Sequence, residues 1–285
     1  MITNQPSVIL QQEATSRAWL ERLQDHLPKL VLGPSMLITL VFIYGFIIWS
    51  AVLSFTKSRL LPSYDFVGFQ NYQKLFDLDR WQVAYSNLIV FALLFIGISI
   101  LLGTLLAIFL DQKIRLEGVL RTVYLYPMAL SLIVTGTAWK WILNPGLGLE
   151  KLVRDLGFED FVFDWIIDPH MAIYTLVIAA VWQSCGFVMA LMLAGLRGID
   201  SSIINAAQID GATMPTIYRR IILPCLGPVF FSSLIVLSHI AIKSFDLVMA
   251  LTAGGPGYST DLPATFMYAT TFSRSQIALG SASSI

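Results

Sequence analysis

Charge is scarce in this sequence: Asp, Glu, Lys and Arg make up 13% of 285 residues, and the formal net charge is zero. That balance excludes the basic footprint of a nucleic-acid binder. Cysteine is nearly absent, with Cys185 inside an apolar run and Cys225 beside Pro224. Such placement gives neither a disulfide framework nor a zinc site, and both read as small core residues. His26, His170 and His239 fall in different segments, with no His-x-x-x-His pair and no Ser/His/Asp spacing. There is no G-x-x-x-x-G-K-[ST] loop either; GGPGYST at 254–260 lacks the lysine and reads as a turn outside the membrane. No catalytic residues, metal ligands or cofactor site are therefore expected, and any ATP and Mg would be bound by another chain.

What fills the sequence is apolar side chain, 56% of residues, with a mean hydropathy of +0.73. An integral membrane protein follows. Runs long enough to cross a bilayer lie at about 30–54, 85–110, 121–143, 171–193 and 223–246, and a sixth begins near Gln276 and is cut off. Residues 1–29 carry Glu13, Glu21 and Asp25 beside Arg17, Arg22 and Lys29, and the run that follows is too long for the core of a signal peptide. These residues are expected to form a cytoplasmic segment with a short amphipathic helix over 16–27, and the first span is expected to stay in the protein.

Basic residues in short loops test the orientation. Lys113, Arg115 and Arg121, and then Arg197, Arg219 and Arg220, mark two loops as inside, while 144–170 carries only Lys151 and Arg154 against six acids. Lys57, Arg59, Lys74 and Arg80 in the first outer loop count the other way. By total count the rule is undecided; density per loop favours a cytoplasmic N-terminus, and the resemblance given below decides for it. Trp81, Trp139, Trp141 and Trp165 fall near membrane ends, where aromatic belts occur.

Between the fourth and fifth spans lies a polar island, residues 198–222. Ile199, Ile203, Ile204, Ala207 and Ile209 alternate with polar residues in a pattern that allows a short amphipathic helix, opened by Asp200 or Ser201. Asp210-Gly211 stops it, since Gly enters a left-handed position without a Cβ penalty, and Pro215 fits the first turn of a new helix that Pro224 closes. A helix-turn-helix between two spans is predicted.

The residue order carries a resemblance. Asn205-Ala206-Ala207, Asp210-Gly211-Ala212 and the apolar tail through Leu223-Pro224 resemble the EAA loop of binding-protein-dependent ABC importers. Gly68 to Arg80 resembles that family's stretch after the first span, Tyr126-Pro127 to Gly148 resembles the third-span signature of sugar permeases, and Phe245-Asp246-Leu247 followed by LTAGGPG at 251–257 resembles the larger maltose-type permease subunit. PKLVLGPSML at 28–37, the stretch 124–151 and HIAIKSFDLV at 239–248 look like the first permease of pseudomonad-type glucose and mannose importers. The resemblance implies an all-α polytopic membrane protein, an ABC type I importer permease core of six helices with the last truncated. It also implies a second permease subunit, two ATPase subunits, a periplasmic sugar-binding protein and a surround of membrane lipid, in a bacterial inner membrane. Asn205, Ala206, Ala207, Asp210, Gly211 and Ala212 would couple the chain to the ATPase. Asn205 stands where the family usually has Glu, so the charge of any ion pair there is missing.

A sugar path needs polar and aromatic groups facing a cavity. The fourth span offers Trp182, Gln183, Ser184 and Phe187, and the fifth offers Ser238, His239, Lys243, Ser244 and Asp246. Resemblance to maltose permease points to Ser184, Phe187 and Ser244 as sugar-binding; Trp182, Gln183 and Lys243 join them on chemistry. Other roles stay open: Ser238 and Ser244 can bond carbonyls of their own helix, His239 can pack between helices, and Lys243 can neutralise Asp246 or snorkel outward. The expected function is import of a carbohydrate, a monosaccharide such as glucose or mannose. The rival is a stand-alone ion-coupled secondary sugar transporter, which would favour a carboxylate deep in a span; Asp111 and Asp246 sit at span ends.

Overall fold

The computed structural model describes residues 29, 31–112 and 115–285. The helix expected over 16–27 lies outside the described residues, as does Lys113. Among the described residues no strand forms, and one isolated bridge joins Thr56 to Phe66.

Helix α1 spans Val31–Ser54, with a π turn at Leu40–Tyr44. After a loop come α2, Gln70–Phe76, and α3, Asp79–Asp111. At 33 residues, α3 is ~50 Å long, more than the ~30 Å of a bilayer's hydrocarbon. It begins six residues before the run expected at 85–110 because Asp79, Arg80 and Gln82 extend the helix beyond the apolar stretch.

The run at 121–143 is two helices, α4 (Glu117–Leu125) and α5 (Leu132–Ile142), bent by 101°. Pro127, in the 3-10 turn Tyr126–Ala129, has no N–H to extend the helical ladder. Ser131 then restarts it, its Oγ accepting the Val134 N–H at 3.3 Å.

Beyond α6 (Leu149–Asp155), the central element is α7, Ala172–Arg197. It is the most deeply buried span, packed along α3, with Leu176, Val188, Met189 and Met192 fully enclosed. Gly186 lets it lie against the α4–α5 break, since a Cβ there would run into the Tyr124 carbonyl oxygen.

Next come α8 (Ser201–Ile209), α9 (Met214–Cys225) and α10 (Gly227–Ile242), the last two bent by 60°. The run expected at 223–246 thus changes direction at Leu226, between Pro224 and Pro228. Helices α11 (Asp246–Leu251), α12 (Pro263–Tyr268, continued as a π turn through Ser273) and α13 (Ile277–Ser284) follow. The stretch 261–273, whose sequence suits a position along the membrane face, packs on α3 and α13, with Phe266 buried.

Candidate functional site

Ion pairs and polar clamps define two ends of the helix bundle. At one, Arg197 at the foot of α7 holds Glu117 at 2.7 Å and Asp111 at 3.8 Å, tying together α3, α4 and α7. At the other, Arg80 Nε meets Asp261 Oδ2 at 2.6 Å, and Asn87 Nδ2 donates to the Ser259 and Asp261 carbonyls at 3.0 Å.

The polar island hangs on the Arg197 end. Asp200 caps α8, accepting the Ser202 N–H at 2.8 Å, and that bond holds its carboxyl below the usual carboxylate range. Gly211 takes φ +79°, and the Ala212 N–H donates back to Ala207 O at 3.0 Å. This is the backbone arrangement that ends a helix through a left-handed residue. Thr213 is extended, and Pro215 stands in the first turn of α9. Ile204, Ala207 and Ala212 pack against the core, while Asn205, Ala206 and Asp210 are exposed. Ile209 is 86% exposed, as large an apolar exposure as any side chain here shows. One face of the helix-turn-helix is thus seated on the spans, and the other presents a carboxylate, an amide and a bare isoleucine to a partner.

The polar residues of α7 and α10 divide by exposure. Gln183 is buried, and its Nε2 donates to the Leu130 carbonyl at 2.9 Å. Leu130 is extended backbone at the α4–α5 break, so Gln183 satisfies an acceptor that the break released from the helix. Ser184 is also buried. Ser244 is 1% exposed, with its Oγ donating to Ile240 O at 2.9 Å, one of the two roles its sequence left open. Trp182 packs edge-on against Trp139, ring centroids 5.8 Å apart, and remains partly exposed, as does Phe187.

His239, Lys243 and Asp246 are exposed. His239 and Lys243 stand one turn apart where α10 ends, the helix breaks over residues 243–245, and Asp246 opens α11; among the described residues no ion pair joins Lys243 to Asp246. Beside them a cavity of about 350 Å³ is lined by Ile133, Phe245, Asp246, Met249, Ala250 and Tyr268. Phe245 and Tyr268 form one aromatic wall, ring centroids 4.9 Å apart. The cavity takes in none of the sequence-selected residues of α7, nor Lys243 or Ser244, so the two clusters do not converge on it. Tyr268 was missed because its segment reads as surface. The signal available was the spacing of Tyr268 and Phe272, one helical turn apart.

Residues 99–285 match the family described as binding-protein-dependent transport system inner membrane component. The probable ABC transporter permease protein PH1215 of Pyrococcus horikoshii is 39% identical over 265 residues, 92% of this chain and 91% of that protein. The xylose/arabinose import permease protein XacH of Haloferax volcanii is 36% identical over 231 residues, 80% of this chain and 72% of that one. A chain of the bacterial alginate ABC transporter, solved in complex with alginate pentasaccharide-bound periplasmic protein, superposes with a TM-score of 0.80 at 22% identity, covering 94% of this chain and 91% of its own. That superposition agrees with the all-α permease architecture. With most of its length inside the family match, and relatives of this identity along nearly all of it, the chain belongs to the membrane components of binding-protein-dependent ABC transport systems.

Proposed function

We propose that this chain is a sugar-importing permease subunit of a cytoplasmic membrane. It would pair with a second permease and two ATPase subunits and receive a monosaccharide of the glucose or mannose class from a soluble binding protein. The observation that carries this reading is the seating of α8. It is fixed on the Arg197 end through Ile204 and Ala207, closed by Gly211, and exposed along Asn205, Ala206 and Asp210. Such an element accepts a push from a neighbouring protein and passes it to α3 and α7 as a body. The Arg197 end is then cytoplasmic and the Arg80 end faces the binding protein.

The sugar path in this reading runs past the exposed side of α10 and α11, with Trp182 and Phe187 as aromatic neighbours. His239, Lys243 and Asp246 are costly against hydrocarbon and inexpensive against water or a hydroxylated ligand. The wall of Phe245 and Tyr268 suits the apolar face of a pyranose, and Asp246 accepts hydrogen bonds from its hydroxyls. Gln183, Ser184 and Ser244 serve the path indirectly, by holding the helices that frame it. Pentose and trehalose/maltose permeases among the relatives support a carbohydrate. ATP binding would close the ATPase pair, move the two coupling elements together and turn the cavity outward.

The test is ATPase activity of the complex that co-purifies with the tagged chain, with and without its binding protein and a panel of hexoses, pentoses and disaccharides. Stimulation confined to one monosaccharide class is expected. Absence of any co-purifying ATPase, with vesicle uptake driven by an ion gradient, would replace this reading with a stand-alone secondary transporter.

A further inference from the structure

The first loop at the Arg80 end carries cations that its position does not explain. Lys57, Arg59 and Lys74 are all exposed, and the ion pairs among the described residues engage Arg80, Arg154 and Arg197 but none of these three. They instead share a cavity of about 420 Å³ with the amides Gln70, Asn71 and Gln276, at the junction of α1, α2 and α13. Among the described residues no carboxylate lines it.

The walls are held by hydrogen bonds. Asn71 Nδ2 donates to the Ser54 and Thr56 carbonyls at 2.7 and 2.8 Å. The Thr56 and Ser58 hydroxyls meet at 2.6 Å, and Ser58 O accepts the Ala278 N–H at 3.1 Å. A second feature adjoins this concave, donor-rich site. Leu60, Leu61 and Phe66 are each more than 70% exposed, and Tyr64 lies edge-on to Trp49 of α1 at 6.1 Å. Below them α1 is bare, with Phe46, Ile47 and Ile48 all more than half exposed. A cationic pocket, then exposed aromatic and aliphatic side chains, then an apolar helix, is the order in which a lipid presents phosphate, glycerol and acyl chain.

We infer that this pocket binds the phosphate of an anionic phospholipid in the leaflet at the Arg80 end, with the acyl chains lying along α1. The site is independent of the sugar path and of which ATPase drives it. It also accounts for basic residues at the end where a count of charges argues against them. An acidic protein loop would satisfy the cations but leave Leu60, Leu61 and Phe66 in water.

The full tagged chain, extracted with its accompanying subunits and placed in phosphatidylcholine nanodiscs containing a minority of labelled phosphatidylglycerol, tests this directly. Retention of phosphatidylglycerol at the protein is expected to fall about fivefold for each of Lys57→Gln, Arg59→Gln and Lys74→Gln. Lys151→Gln, an exposed cation outside the pocket, is expected to leave it unchanged. A combined Lys57→Arg, Arg59→Lys, Lys74→Arg variant is expected to retain the lipid, separating charge from folding. Unchanged retention in the triple Gln variant overturns the site. So does saturation of the pocket by inorganic phosphate that phosphatidylglycerol cannot displace, which would make it a free-phosphate site. Triple-Gln loss confined to binding-protein docking, with lipid retained, overturns it in favour of an acidic protein partner.

Discussion

At Gly211 a single missing Cβ holds the turn between α8 and α9. Its φ of +79° is strained for any L side chain, yet a Cβ built there meets nothing within 4 Å. A substitution therefore meets no clash and bears only the conformational penalty, about 1–3 kcal/mol and greatest for a β-branched residue. The chain can escape it by turning Asp210 and Ala212 out of line, which costs the Ala212 to Ala207 hydrogen bond and loosens the exposed face. Gly211→Val is accordingly expected to insert and assemble with its ATPase but to lose about tenfold in uptake per ATP hydrolysed. Gly211→Asn, which tolerates the left-handed region, should lose much less. ATPase and vesicle uptake measured on the same preparations check this; coupled uptake at the parental level in the Val variant would remove the coupling role from α8.

At the scale of elements, the ion pair between Arg80 and Asp261 joins the start of α3 to the loop ahead of α12. Asp261 is 1% exposed, and Thr265 Oγ1 donates to its other carboxylate oxygen. The Arg80 guanidinium also lies 4.4 Å from the centre of the Tyr258 ring. Removing Arg80 alone would leave a buried carboxylate without its cation, at about 3–5 kcal/mol. Arg80→Leu is expected to lower the melting temperature of the purified complex markedly, and Arg80→Leu with Asp261→Leu to recover part of the loss. A double variant no better than the single one would mean that the pair is not what holds the loop.

The same elements display what could be read from sequence. Helix α8 was legible because its signals are local: a capping Asp200, a Gly after Asp210 and a Pro at the next first turn. The break between α4 and α5 was not, because a hydropathy window over 121–143 averages across Pro127 and sees one apolar run. The bond of Ser244 to its own helix was one of the two roles the sequence left open, whereas that of Gln183 was hidden for a related reason. A polar side chain in a span marks either a cavity or an internal acceptor, and the acceptor of Gln183 is 53 residues away, on backbone freed by the break. Trp182 and Lys243 do keep exposed surface, but the neighbour of Trp182 is Trp139, beyond the α4–α5 break, and the neighbours of Lys243 depend on how α10 is turned. That is decided by Pro224, Gly227 and Pro228 together with the packing of α10 on α3.

Taken as a whole, the molecule is closed along α7 and open along α1 and along the exposed side of α10 and α11. The two open faces differ chemically. That of α1 is apolar nearly throughout and is compatible with hydrocarbon, whereas that of α10 and α11 carries His239, Lys243 and Asp246. Charged side chains such as these are costly against hydrocarbon, so this second face belongs against water, ligand or a second permease. If it lines the sugar path, Asp246→Asn and Tyr268→Ala are each expected to raise the half-saturating concentration of binding-protein-delivered sugar about tenfold, the worth of one good hydrogen bond to a charged group or one aromatic contact. Lys243→Leu is expected to behave similarly, since it removes an exposed ammonium three residues before Asp246 without filling the cavity of Phe245 and Tyr268. Assembly and basal ATPase should persist in all three. Loss of the second permease from the purified complex, with transport normal in whatever complex remains, would assign the face to subunit contact instead and move the path towards Trp182 and Phe187.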